Sequence, residues 1–515
     1  MADGEPPERD VKDFEFMQLC KFRVQQPDHE LPINRGNLLA CSSKYGLLIY
    51  ATKQGFSTVK TANLMKINED LGKQRTKVII EDIPIEKKID LSAPALWLDV
   101  NADGKYLAVV TKDMGQLYVL FFSINSFADK ASPSQPFARA RVTATPGAVI
   151  QDLSWNHAIP NILAVCSSDG NVELIDVSET VKVIAALPAA VGATCFCWSP
   201  KGKQLLVGKK NGTASQYDHS LAEKKQWVCP GVLQGAHRVV DIIWQSTYAF
   251  MAAYLPSEAP ASDQPKVIFV LSNKEGKTQY LNFDDVCFGN GEERKAQYFF
   301  HLLAQWEVIV MASSNATETT VVGKNLDNKV SWEHWNLEDC SRAELPLTDQ
   351  QNDTFPVGMA VDYSPQLPIV LNESKRYPAC PVMYLLSSDG MLLGFHLSYR
   401  HKDAAPITSP PSQMDPSAAR KEGISVVVSS AVVKYLFSET FIEQGEEYCS
   451  DITHNDLIMF HILLTVVLLL LFSMFRNLVC FVVMLTQKEK VKVERLALAG
   501  LEFLSIRLNQ KALTT

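Results

Sequence analysis

The chain has 515 residues, of which 47% are hydrophobic and 21% charged, a composition that can bury a sizeable core. Its 57 acidic against 49 basic residues leave a net charge of −8, which argues against a surface that tracks nucleic-acid phosphates; direct nucleic-acid binding is not expected, and a basic protein partner fits more easily. The 11 cysteines are scattered, odd in number and never in a paired metal spacing, so they read as reduced core residues, and neither a metal nor a cofactor is expected.

Residues 1–11 are acidic and polar with no apolar run, so they are expected to form a disordered leader without a secretory signal, and the default address is cytosolic or nuclear. Phe14 to Val24 alternates as a strand does. From there a unit recurs that is clearest at residues 195–218. Cys195 to Trp198 lead into a Ser199-Pro200-Lys201-Gly202 turn, Leu205 to Val207 form a second strand, Asn211-Gly212 is a hairpin signal, and Thr213 to Tyr217 form a third strand. Trp155 and Trp198 stand 43 positions apart and Trp244 follows 46 later, which is the period of a four-stranded propeller blade. Ser387-Ser388-Asp389-Gly390 repeats Ser167 to Gly170 letter for letter. With the units around Asn101 to Phe122, Leu38 to Tyr50 and Trp306 to Val322, the count is seven. The fold class is therefore all-β, a seven-bladed β-propeller over residues 12–400 with short helical insertions. The strand near the N-terminus is predicted to complete the last blade and close the ring.

Residues 51–90 read as a charged, solvated inter-blade connection, and 123–146 and Leu255 to Pro265 as surface excursions. Gly289 to Arg294 has half the look of a phosphate loop, but no strand-then-helix frame surrounds it. Ser331 to Leu345 is expected to be a short helix, with Ser331 as cap, Glu338 and Arg342 at i,i+4 spacing, and Pro346 as its stop. On a propeller such an excursion is either a binding loop or a solvated cover for a blade edge. Trp155, Trp198 and Trp244 recur at blade period and belong to the core, and Asp152 and Asp241 read as makers of turn or strand-end hydrogen bonds. No arrangement of Ser, His and Asp suggests a nucleophile, so the chain is not read as an enzyme.

Lys12 to Phe16, Ser178 to Pro188, Trp198 to Gly212 and Leu337 to Asp349 resemble, in order along the chain, the N-terminal propeller of the large cytoplasmic-face FG nucleoporins, the CAN family. The resemblance runs from about residue 10 to residue 398. It implies a non-enzymatic scaffold of the nuclear pore's cytoplasmic face that binds a DEAD-box mRNA-export helicase and supports nucleocytoplasmic transport. The implied helicase contacts are Arg342, Glu344, Asp349 and Asp353: the arginine for a carboxylate of the helicase, the three acids for basic residues that otherwise hold RNA.

Past Tyr399 the resemblance ends. Residues 401–456 read as a Pro/Ser-rich and then acidic linker, 457–485 as an apolar helix and candidate transmembrane segment, and 486–515 as a basic tail. The family's coiled coil and Phe-Gly field are missing; the only Phe-Gly pair is Phe288-Gly289. That puts pore-subcomplex partners in question. The charges flanking the apolar run would leave the propeller outside the cytosol, against the rest of the reading, so an alternative or mis-joined last exon is the preferred explanation. A membrane-anchored trafficking adaptor is the alternative function.

Overall fold

Seven antiparallel sheets stand around one channel in the computed structural model, which describes residues 4–420 and 425–428 apart from 27–33, 73–77, 132, 144, 261–262, 285, 288–293, 325–331 and 371–375. The innermost strands of the blades begin at Leu39, Ala95, Ile150, Ala193, His237, Tyr298 and Pro356, and each packs on the next, the seventh on the first. Blade 4 illustrates how the repeat folds. Ala193–Trp198, Gln204–Lys209, Ala214–Asp218 and Glu223–Trp227 pair in order, so a fourth strand lies beyond the three legible in the sequence. Its first turn needs glycine. Gly202 has φ +64° and a Cβ there would lie 2.2 Å from Asn156 Oδ1 of blade 3, whose side-chain amide donates to the Gly202 carbonyl at 2.7 Å.

Ring closure follows the predicted route. β2 (Phe14–Arg23) pairs antiparallel with Met391–Tyr399 as the fourth strand of blade 7, with Phe14 opposite Tyr399 and Arg23 opposite Met391. Joining a strand that precedes the first blade to the last blade in one sheet removes the open edge a linear array of blades would leave.

Four expectations need correction. The leader is ordered from Gly4: β1 (Glu8–Val11) adds in parallel to the outer strand of blade 6, where Arg9 pairs with the buried Glu333 at 2.9 Å and lies over the Trp335 ring. Its charges mask a strand because they are matched across that edge. The expected helix over Ser331 to Leu345 does not form in 332–345, and its expected cap Ser331 lies outside the described residues. Trp332–Leu337 is the fourth strand of blade 6, with Trp332 against Phe269 of blade 5 and Trp335 against Phe14 and Tyr399 of blade 7; burial on both faces overrides the i,i+4 spacing, and only a short turn of 3₁₀ helix, Asp339–Ser341, follows. Residues 51–90 are not all loop, because Gly55–Lys60 and Ile85–Asp90 are strands of blade 1 and α1 (Thr61–Leu71) lies between them. Its Leu64 and Asn68 are buried one turn apart, and Asn68 accepts the Cys20 N–H at 3.0 Å where β2 bulges out of register.

The fourth correction concerns residues 401–420, which are a strap and not a free linker. Ala405 accepts the Trp306 indole N–H at 2.8 Å, Ser409 N–H donates to Tyr363, and Ser412 N–H donates to Lys44. Asp415 N–H then reaches Asn125 in blade 2, and the Arg420 guanidinium donates to the carbonyls of Val177, Ser178 and Glu179 while covering the Phe137 ring at 4.3 Å. Ile407 and Met414 pack on the core. A Pro/Ser-rich composition permits this because the segment makes its bonds to exposed turns and not to a sheet of its own. Beyond it, Ser425–Val428 runs parallel to the outer strand of blade 2. No helix among the described residues is long and apolar enough to cross a membrane, and the 457–485 segment lies outside the described residues.

Candidate docking surface

The innermost strands carry a repeated carboxylate. Asp99 accepts the Trp155 N–H at 3.0 Å, Asp152 the Phe196 N–H at 2.8 Å, and Asp241 the Tyr298 N–H at 2.8 Å, each reaching from one blade to the next. The Trp155 and Trp198 indoles bond back to the carbonyls of Asp99 and Ser154. Burial raises all three carboxyls, Asp99 and Asp152 to about 7. Asp152 and Asp241, expected to make turn or strand-end hydrogen bonds, do make structural bonds, but the bond joins blades and does not cap a turn, and Asp99 adds a third that the sequence did not single out.

The expected contact residues lie elsewhere, on the outer edge of blade 6. After Trp332–Leu337 the chain turns through Asp339–Ser341 and sets Ala343–Glu344 against Glu318–Thr319, with Glu344 opposite Glu318. Arg342 is part-exposed. Its Nε lies 3.2 Å from the Leu337 carbonyl and 3.5 Å from Glu318, and Nη2 lies 3.3 Å from Asp339. The arginine expected to seek a partner carboxylate therefore already has two of its own. Around it Glu318, Asp339 and Glu344 form an acidic rim: burial, opposed by Arg342 and assisted by Glu344 and Asp339, raises the Glu318 carboxyl.

Asp349 and Asp353 follow on an exposed loop that a few bonds make stiff. Thr348 and Asn352 close it through N–H to carbonyl at 2.9 Å, and Thr354 Oγ1 donates to the Pro346 carbonyl at 2.7 Å. Leu347 stands beside them, half-exposed. Between this edge and β2 lies a cleft of about 450 Å³ walled by Glu15, Met17, Asp339, Cys340, Arg342 and Glu344. The structure thus gathers Arg342 and Glu344 into one cleft and puts Asp349 and Asp353 on the loop that continues from it. Glu318, Asp339 and Glu15 escaped the sequence reading. Glu15 comes from a strand hundreds of residues away, Glu318 from a neighbouring strand of the same blade whose pairing with Ala343–Glu344 the sequence does not show, and at Asp339 the i,i+4 spacing singles out Glu338 instead.

The family model for the NUP159/214 beta propeller matches residues 32–392. The chain belongs to this family. It is similar to nuclear pore complex protein Nup214 of Homo sapiens, 34% identical over 429 residues, and to Nup214 of Drosophila melanogaster, 27% identical over 433 residues. These cover 81% and 84% of this chain but only 20% and 24% of the relatives, so the chain spans about a fifth to a quarter of the proteins it resembles. Among solved structures, a complex of Saccharomyces cerevisiae Dbp5 bound to Nup159, Gle1, IP6 and ADP supplies a propeller that aligns with TM-score 0.56 at 18% identity, covering 77% of this chain and 99% of that one. The WD40 domain of Toxoplasma gondii coronin aligns with TM-score 0.52 at 11% identity over 82% of this chain and all of that domain. At such identities the likeness is one of fold. The described residues form a seven-bladed propeller, and the NUP159/214 match spans residues 32–392 of it.

Proposed function

We propose that this propeller is a non-enzymatic docking platform of the nuclear pore's cytoplasmic face, that it binds a DEAD-box RNA helicase, and that it thereby supports mRNA export. The relatives are named as nuclear pore proteins, and a propeller of the same fold is bound in the Dbp5 complex. The observation that carries the reading is the blade 6 edge itself. Arg342, in the bend between the 3₁₀ turn and the Ala343–Glu344 strand, is held by Glu318 and Asp339 with Glu344 beside it, so the surface offers a preset charge pattern at little ordering cost. Arg342 anchors the rim, while Glu344, Asp349 and Asp353 present the negative field to the basic residues of a helicase RNA-binding surface. Docking there would compete with RNA.

The test is binding of the full chain to the cognate export helicase at low and moderate salt, with and without single-stranded RNA. Saturable binding that weakens with salt and with RNA is expected. A helicase that binds equally well in the presence of saturating RNA would sink the competition, and no binding at all would sink the assignment.

A further inference from the structure

At the end of the channel opposite the strap, a cavity of about 470 Å³ opens among blades 3 to 6. The two ends are distinguished by topology. The strap holds the turns that follow the innermost strands, at Lys44 and Tyr363, whereas Ala193, Arg238 and Lys295 of the cavity wall lie where innermost strands begin. Four cations line the cavity, Arg35, Lys210, Arg238 and Lys295, and no carboxylate lines it among the described residues. In a chain whose net charge is −8 this is a local reversal of sign.

The wall is built and not merely basic. Arg35 is 6% exposed; Nη1 donates to the Val240 carbonyl at 2.7 Å, Nη2 pairs with Asp241 behind the wall, and Nε is a buried donor with no protein acceptor. The Arg238 guanidinium is clamped by the carbonyls of Pro256, Ser257 and Ala259 at 2.8, 2.7 and 3.2 Å, so its position is fixed although none of these partners neutralises it. Lys210 and Lys295 are exposed at the rim from blade 4 and the approach to blade 6. Arg35 is paired with Asp241, with Asp152 also behind it, while Lys210, Arg238 and Lys295 have no ion pair among the described residues and share one concave site whose low-dielectric walls concentrate their field.

We propose that this cavity binds a compact oligophosphate, a small molecule or headgroup carrying at least two phosphate groups. A pocket of this size takes a small ligand and not a folded segment. Cations contributed from separate blades match phosphates spread over one molecule better than a single carboxylate, and a fixed guanidinium favours the planar two-point contact that phosphate oxygens accept.

The probe is inorganic tripolyphosphate, titrated calorimetrically into the full chain at low salt. One saturable site is expected. Lys210→Glu with Lys295→Glu should weaken it by about tenfold or more. The same reversal at two exposed lysines of other strands and turns, Lys224→Glu with Lys277→Glu, should leave it unchanged. All four side chains are solvent-facing, so unchanged melting of each variant checks the fold. Absence of saturable binding, or equal loss in both double variants, would overturn the proposal. Vesicles of phosphatidylcholine with and without a bis-phosphorylated inositol lipid separate the sources: cosedimentation lost in the cavity variant assigns a headgroup, and tripolyphosphate binding without cosedimentation assigns a soluble ligand. Helicase binding at the blade 6 edge is measured on the same variants, so failure here leaves the docking reading standing.

Discussion

The Asp152 carboxylate accepts the backbone N–H of Phe196 across the boundary between blades 3 and 4 at 2.8 Å, and Asp99 does the same for Trp155 one blade earlier at 3.0 Å. Strand ladders hold each blade together, and these carboxylates add to the few backbone bonds that cross between blades, such as Ala193 N–H to the Gly170 carbonyl. Asp152→Ala strands a backbone donor and should destabilise the propeller by about 1–3 kcal/mol, whereas Asp152→Asn keeps an acceptor oxygen and should cost less. Chemical denaturation of the two variants reads the difference, and equal losses would mean that the charge and not the bond matters.

Among the described residues no cation stands against Asp99, and burial pushes its carboxyl up to about 7. In the unfolded chain the same group titrates near 4. Between about pH 4 and 7 the folded state therefore holds a proton that the unfolded state has released, so stability falls as pH rises across that window and levels off above it. Asp99→Asn removes this dependence. Its melting temperature relative to the unaltered protein should rise from pH 5 to pH 8, and a pH-independent gap would contradict the titration.

At the docking edge Glu344 faces solvent and Arg342 is tied to Glu318 and Asp339. Glu344→Lys should weaken helicase binding by about tenfold to a hundredfold with unchanged melting. Asp349→Ala and Asp353→Ala, on the exposed loop, should each cost only a few-fold, and mainly at low salt. Arg342→Glu sets a fourth carboxylate among Glu318, Asp339 and Glu344, so its effect must be compared with that of Arg342→Ala. Binding by Glu344→Lys that matches the unaltered chain would remove this residue from the interface.

Gly323 lies flat under the Trp335 indole, and a Cβ there would come within 2.2 Å of the ring. Gly323→Ala must displace Trp335, which also meets Phe14 of β2 and the Arg9 guanidinium of β1. A loss of about 1–3 kcal/mol is expected, with faster hydrogen exchange at residues 8–16 and 332–344. Exchange confined to residue 323 and its neighbours would show that the N-terminal strands do not depend on this contact.

The strap makes a separate prediction. Arg420→Ala removes the donors to Val177, Ser178 and Glu179 and uncovers Phe137. Amide exchange should accelerate over residues 412–420, while the Trp306–Ala405 bond keeps the near end protected.

The blade count, the core tryptophans and the closing of the ring by Phe14 to Arg23 were legible in the sequence because each depends on a local pattern: turn residues at fixed offsets, a tryptophan once per period, strict alternation. The proposed contacts Arg342, Glu344, Asp349 and Asp353 come from resemblance, and the chemistry proposed for them from residue type. What surrounds them was not legible. Glu15 reaches the Arg342 cleft from a strand hundreds of residues away, Glu318 meets Arg342 only through the pairing of Glu318–Thr319 with Ala343–Glu344, and Trp332–Leu337 is a strand because blades 5 and 7 bury both of its faces. The parallel addition of β1 and the strap at 401–420 likewise rest on partners hundreds of residues distant. Local sequence thus determined the repeating unit, whose bonds lie within a few tens of residues. Tertiary structure decided the edges, the cavity and the charge pattern, since these exist only once the ring brings remote segments to the same rim.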